Sequence, residues 1–350
     1  MANFGPKEIK KLREMTDAGM MDCKKALAAS DGDMDKAVEW LRDQGIGAAA
    51  KKASKTAAEG AIGVKVGDDK AVIVEINSQT DFVAQNDKFK ELMNKVVEHA
   101  YANELPDAEA INASEIDGQP FSEFLSLQIA TIGENLVVRR SGLIKGDDTT
   151  AINGYVHSNA QNGVIIAAKC EDAETAEKMV PILREIAMHA AAMAPKSLSY
   201  TDLDPEYVAA ETHGRIEAIK KENEELERLG KPLKNVPQYV SRAQLTDEVL
   251  AEAKAAIEAE LKAEGKPEKI WDRIVPGKLE RFIADNTTLD QEQCLLDQKF
   301  VMDDSKTVGE YFAEKSGGKA KIIEFVRLEV GEGIEVEEED FAAEVAKQMA

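Results

Sequence analysis

The sequence predicts an α+β protein built from several domains. Two segments contain pairs of runs rich in β-forming residues around a polar turn, and each pair is followed by a run with helical spacing, which is typical of a sheet covered by helices. A charged insert with coiled-coil spacing interrupts the second segment. We predict a three-helix domain at 1–55, a first core subdomain at 56–147, a second at 148–204 with 286–330, an inserted helical arm at 205–285 and a C-terminal module at 331–350.

The N-terminal domain is predicted from closely spaced residues that typically begin or end helices. Pro6 suits the first turn of a helix, and further helices are expected at 21–29 and 34–44. Gly45 provides the signal that ends the third helix. Residues 48–55 are small and polar, which fits either a linker or a frayed helix end. We find no catalytic residue pattern in this domain.

The core is predicted from a unit that occurs twice, two strands followed by a helix. The first copy has strands at 61–66 and 70–76 and a helix at 87–102, and the second has strands at 151–157 and 163–169 and a helix at 173–193. The two helices end alike, since His99 and His189 stand in similar sequences. We interpret the order as an internal duplication.

The arm is predicted from a coiled-coil seam with spacings of four and three residues. The seam contains Thr212, Ile216, Ile219, Asn223 and Leu226, with Asn223 as a candidate for setting the register. Two more helical runs, at 250–261 and 270–283, indicate an arm that folds back on itself. Such an arm could form a partner or homodimer contact, or could be a solvated structural hairpin.

The last part is predicted as a strand at 322–330, an acidic run at 335–340 and a short amphipathic helix at 341–349. That helix could dock on another protein or pack against its own domain.

The composition excludes several function classes. The chain has 44 Lys and Arg against 66 Asp and Glu, a net charge of −22, so we expect no direct contact with nucleic acid. No apolar run reaches the length of a membrane span, so no membrane contact is expected. The N-terminus lacks the layout of a signal peptide. Three widely spaced cysteines favour a reducing compartment, and we predict a cytoplasmic protein.

The sequence matches no common catalytic or nucleotide-binding motif in full. Lys319 is preceded by Gly318, but Ala313 stands at the first glycine position of a P-loop and no hydroxyl follows the lysine. Ser316 with Lys319 matches Ser-x-x-Lys but lies in a glycine turn. The four histidines are scattered, and His99 and His189 are better interpreted as packing residues. We therefore predict no metal, no cofactor and no enzymatic chemistry.

Two segments have alternative interpretations. Thr80 or Asp81 could cap the helix that follows a strand, but capping does not require the adjacent Phe82, which would be either buried or presented to a partner as an anchor. Met20 and Met21 could belong to a core, or could form an adaptable protein contact at an exposed helix start.

Several long motifs in order resemble the bacterial elongation factor Ts family over nearly the whole chain. They lie at 12–27, 79–84, 133–136, 139–140, 187–193, 308–311, 325–334 and 340–345. The resemblance implies a ubiquitin-associated-like N-terminal domain, duplicated core subdomains, an inserted coiled-coil arm and a C-terminal helical module. The arm is longer here than in the shorter family members, so the contacts of their arms do not transfer.

The resemblance also implies a function, the exchange of GDP for GTP on elongation factor Tu. The motif Thr80, Asp81, Phe82 and Val83 then pushes into the GTPase domain near its magnesium site. Arg13, Met20 and Met21 rest on a helix of the same partner. The competing interpretation is an adaptor that binds the same GTPase without exchange activity.

Overall fold

Three helices form the N-terminal part of the computed structural model, which describes residues 4–16 and 18–335. They are α1 (Pro6–Thr16), α2 (Met20–Ala29) and α3 (Met34–Lys52). Apolar side chains such as Leu12, Leu27 and Leu41 are buried between them. Asp33 begins α3 by accepting hydrogen bonds from the first backbone amides of the helix.

The prediction that the third helix ends before Gly45 is wrong, because α3 continues to Lys52. Gly45 is buried, and a Cβ atom placed on it would lie 3.0 Å from Leu127 Cδ2. The glycine therefore permits close packing within the helix. The alanines after it are good helix formers, and most of the segment predicted as a linker or frayed end is helical.

The first sheet has the strand order β1-β2-β5 and is antiparallel. Its elements are β1 (Glu59–Val66), β2 (Lys70–Ser78), α4 (Asp81–Ala84), α5 (Asp87–Ala102), α6 (Ala108–Asn112), β3 (Glu115–Ile116), β4 (Gln119–Pro120), α7 (Phe121–Ile132) and β5 (Val137–Lys145). The predicted hairpin and α5 are confirmed. Val74 and Ile76 of β2 pack against Phe89 and Val96 of α5.

The second sheet has the order β10-β7-β6. It contains β6 (Thr150–Val156) and β7 (Asn162–Cys170), followed by α8 (Ala173–Met193), and β10 (Ala320–Glu329). The strands and helix predicted here are confirmed. Ile73 and Ile144 of the first sheet share a buried cluster with Ile152 and Ile165 of the second. The strand pairs β1–β2, β2–β5 and β6–β7 are antiparallel, and the mixture of helices and strands is consistent with the predicted α+β class.

The chain divides into two compact units. The first runs to Ala191 and resumes at Glu324, and the second comprises Ala192–Ile323. The second contains α9 (Pro205–Arg228), α10 (Asp247–Ala263), α11 (Trp271–Asp285), α12 (Thr288–Gln293), β8 (Lys299–Phe300), β9 (Asp303–Thr307) and α13 (Val308–Ser316). Among the described residues, no helix is both long and apolar enough to cross a membrane.

The seam predicted on α9 is only half-buried. Asn223, the candidate register residue, donates from Nδ2 to Lys234 O at 2.8 Å and accepts from Lys234 N at 2.8 Å. It therefore fixes the extended segment after α9 against the helix. The predicted acidic run and final helix lie outside the described residues, apart from exposed Glu335 at the start of the run.

Candidate partner-binding site

The turn after β2 presents an aromatic side chain to solvent. Thr80 caps α4, its Oγ1 accepting a hydrogen bond from Val83 N at 3.4 Å. Asp81 occupies the first turn and is exposed, and Val83 packs against the core of the first sheet. Phe82 is 82% exposed. The two functions of the segment are therefore compatible, since Thr80 caps the helix while Phe82 is exposed to solvent and not buried in the core.

A single carboxylate holds this turn. Glu134 Oε2 accepts hydrogen bonds from Gln79 N and Thr80 N, each at 3.0 Å. Its other oxygen, Oε1, accepts from the Thr80 hydroxyl at 2.7 Å. Glu134 lies within the family motif at 133–136, but the motif predicts no role for it. Its partners are 54 and 55 positions away, so local spacing carried no signal of the contact.

The N-terminal candidates also lie at the surface. Met20 is 59% exposed and Met21 is 63% exposed at the start of α2, and Arg13 is exposed on α1. The interpretation of both methionines as core residues is therefore wrong. A cleft of about 270 Å³ is lined by Arg13, Met20, Lys88, Leu92 and Phe124 among others.

Helix α5 borders both groups of candidates. Its residues Lys88 and Leu92 line the cleft beside Met20. Its residue Met93 lines a second cavity, of about 450 Å³, which also includes Asp81. All these residues belong to the first unit. The structure therefore places the two predicted contact groups on either side of one helix.

A buried ion cluster anchors the segment that follows β10. Glu75 on β2 is fully buried, and its carboxylate accepts hydrogen bonds from Arg139 Nη1, Arg140 Nε and Gly331 N. Arg140 Nη1 also lies 2.9 Å from Glu332 Oε2. This pairing explains the adjacent arginines, which neutralise a buried carboxylate as required in a low-dielectric interior.

The remaining titratable candidates are structural. His99 Nε2 lies 2.8 Å from Ser114 Oγ, the ring stacks on Phe121, and burial lowers the pKa of the imidazole. Burial raises the pKa of the three cysteine thiols, to about 12 for Cys294. Within the described ranges, no three His, Cys, Asp or Glu side chains are grouped to hold a metal ion.

Comparison with known proteins gives a consistent result. The family model described as Elongation factor TS matches residues 79–236 and 234–332. The chain is 76% identical to the elongation factor Ts of Sulfurovum sp. (strain NBC37-1), over 100% of both chains. It is 54% identical to that of Aliarcobacter butzleri (strain RM4018), over 100% of this chain and 99% of the relative, and 52% identical to that of Helicobacter pylori (strain ATCC 700392 / 26695), over 100% of both. Because such identity extends over the whole length, the chain belongs to the elongation factor Ts family of translation elongation factors.

Proposed function

We propose that this protein binds elongation factor Tu loaded with GDP and promotes the release of GDP, so that GTP can replace it. The observation that carries the proposal is Phe82, an aromatic residue 82% exposed on a turn fixed by hydrogen bonds. Solvent-exposed aromatic side chains on fixed backbone are typical anchors of protein interfaces. Family membership supplies the identity of the partner.

The physical basis of exchange is thermodynamic linkage. A protein that binds the empty GTPase more tightly than the GDP-loaded GTPase must weaken GDP binding by the same factor. In our proposal Phe82 inserts between packed elements of the partner, and Asp81 disturbs the partner's magnesium shell. The magnesium ion screens the phosphate charge of the nucleotide, so disturbing its shell weakens the hold on GDP. Neither residue acts as a metal ligand within this chain.

Other parts of the chain have supporting roles in the proposal. Arg13, Met20 and Met21 contact a helix of the same GTPase domain, the C-terminal module contacts that domain as well, and the second core subdomain reaches another domain of the partner. We retain the five-part division, the ubiquitin-associated-like assignment of 1–55 and the duplicated core as parts of this proposal. Homodimerisation through the arm stays an alternative use of that segment.

In this proposal the protein acts as an exchange factor in the cytoplasm. It carries out no covalent chemistry and makes no direct contact with nucleic acid or membrane. The second candidate function is an adaptor that binds the same GTPase without releasing nucleotide. The exposed Phe82 favours exchange, because an adaptor needs affinity alone and has the exposed methionines for it.

The test is the release of a fluorescent GDP analogue from elongation factor Tu with catalytic amounts of this protein. We expect acceleration that disappears when Asp81→Ala and Phe82→Ala are combined. Val66→Ala is the matched control, since it truncates an exposed apolar side chain elsewhere in the first unit. Binding without acceleration by the unaltered protein would favour the adaptor and refute the exchange mechanism.

A further inference from the structure

We propose that Glu134 is a positioning residue that holds Phe82 in the orientation needed for its contact, and that the loop containing Glu134 joins this turn to the N-terminal helices. The inference rests on the proposed function, in which Phe82 enters the partner. It adds a residue that does not itself touch the partner.

The need for a positioning residue follows from the size of α4. The helix has four residues, Asp81–Ala84, and a single helical turn is not stable on its own. Phe82 projects into solvent, so contacts with the rest of the chain do little to fix its direction. That direction depends on the backbone of the turn. Val83 secures the turn on its inner side through packing against the core.

Glu134 secures the turn at its beginning. The carboxylate receives two backbone N–H groups and one hydroxyl, at 3.0, 3.0 and 2.7 Å. Hydrogen bonds to an ionised acceptor are stronger than those between neutral groups. Three of them on one side chain fix the backbone of Gln79 and Thr80 immediately before Asp81. The same Thr80 hydroxyl then caps the helix by accepting from Val83 N.

The loop that carries Glu134 is itself fixed to the end of the N-terminal helices. Lys52 Nζ at the end of α3 donates to Gly133 O, and Asn135 Nδ2 donates to Lys55 O at 2.8 Å. Glu134 stands between these two contacts and faces the turn. Three consecutive residues therefore join α3 on one side to the Phe82 turn on the other.

The preceding helix strengthens this connection. Gly133 ends α7 in the left-handed conformation, with φ of 95°, and α7 packs closely on α3 where Leu127 meets Gly45. Arg42 Nε on α3 lies 2.6 Å from Glu123 Oε2 on α7. The helices that carry Arg13, Met20 and Met21 are thus fixed in position relative to Phe82. A partner can therefore bind both groups of residues without the entropic cost of first ordering either.

The experiment combines Glu134→Gln with Phe82→Ala in a double-mutant cycle, read out by GDP release from elongation factor Tu. Glutamine keeps the shape but offers one acceptor oxygen and turns an NH2 group toward the donors of the turn. We expect Glu134→Gln to lower the release efficiency about tenfold, which corresponds to roughly 1.4 kcal/mol. In the Phe82→Ala background the same substitution should have a smaller effect, because one of the two side chains that the turn positions, Phe82, is gone while Asp81 remains.

Two additional measurements separate positioning from folding. Amide hydrogen exchange of a peptide covering 77–84 should increase in Glu134→Gln, because two of its amide protons are held by the carboxylate. Thermal unfolding should remain cooperative. Glu109→Gln, an exposed carboxylate on α6 of the same unit, is the control and should change neither release nor exchange of that peptide.

The outcomes are decisive in each case. An equal loss in both backgrounds, or unchanged protection of 77–84, would overturn the inference. If the unaltered protein binds elongation factor Tu but does not release GDP, the proposed function fails. The double-mutant cycle is then measured through the affinity of each variant for elongation factor Tu. If neither release nor binding occurs, the hydrogen exchange result alone supports or overturns the role of Glu134 in holding the turn.

Discussion

Truncation of Phe82 to alanine provides the most direct measure of the proposed contact. An aromatic side chain buries about 150–250 Å². Since 82% of Phe82 is exposed in the free protein, roughly 160 Å² is available for burial at an interface. At about 25 cal/mol per Å² this area corresponds to about 4 kcal/mol. Alanine retains one carbon, about 0.8 kcal/mol, which leaves a loss of about 3 kcal/mol, or roughly 150-fold in rate.

The assay is GDP release from elongation factor Tu, measured with limiting amounts of the Phe82→Ala variant. The fold should be unaffected, because the removed side chain is not packed against its own chain. Circular dichroism and the melting temperature check this point, and Val66→Ala controls for the loss of an exposed apolar group. A release rate equal to that of the unaltered protein, with the fold intact, would refute the assignment of Phe82 as the inserted residue.

Three further substitutions test other parts of the structure. Glu75→Ala leaves two arginines around an empty buried site and should lower the free energy of unfolding by about 3–5 kcal/mol, measured in urea. Burial raises the pKa of Asp297 from 3.8 to about 6. The folded state therefore holds this proton more tightly than the unfolded chain, so the contribution of Asp297 to stability should fall as the pH rises from about 4 to about 6, and Asp297→Asn should remove that contribution in thermal melts. Met20→Ala with Met21→Ala should weaken binding of the partner, measured by calorimetry, while the melting temperature stays constant, because both side chains are exposed.

The parts of the fold that the sequence predicted are those with a clear local signal. Strands β1, β2, β6 and β7 are short runs rich in apolar and β-branched residues, and α5 and α8 show apolar residues at helical spacing. Helix α7 is not among the predicted elements, because Phe121–Ile132 is mostly apolar and contains a single charged residue, Glu123, to mark its solvent face. The end of α3 was misplaced because Gly45 serves packing there.

The candidate site was predictable only in part, for a physical reason. The identity of Thr80 and Phe82 follows from sequence motifs, but whether an aromatic side chain is buried or exposed depends on tertiary contacts. Glu134 could not be found by spacing, because its hydrogen bonds join two loops far apart in the chain. The burial of the Glu75 carboxylate could not be predicted from its strand alone, because it depends on the arginine partners Arg139 and Arg140 on a neighbouring strand.

The proposed exchange function comprises two tasks, and the proposal assigns them to different residues. Contacts that form equally with the GDP-loaded and the empty partner raise affinity for both and leave nucleotide binding unchanged. Only a contact that is stronger with the empty partner weakens GDP binding, by the same factor as its preference. Met20 and Met21 are flexible apolar side chains suited to the first task, while Phe82 on its fixed turn is suited to the second. We therefore expect the methionine variant to lower both affinities alike and the Phe82 variant to change their ratio. Equal loss of both affinities in the Phe82 variant would show that Phe82 supplies binding alone.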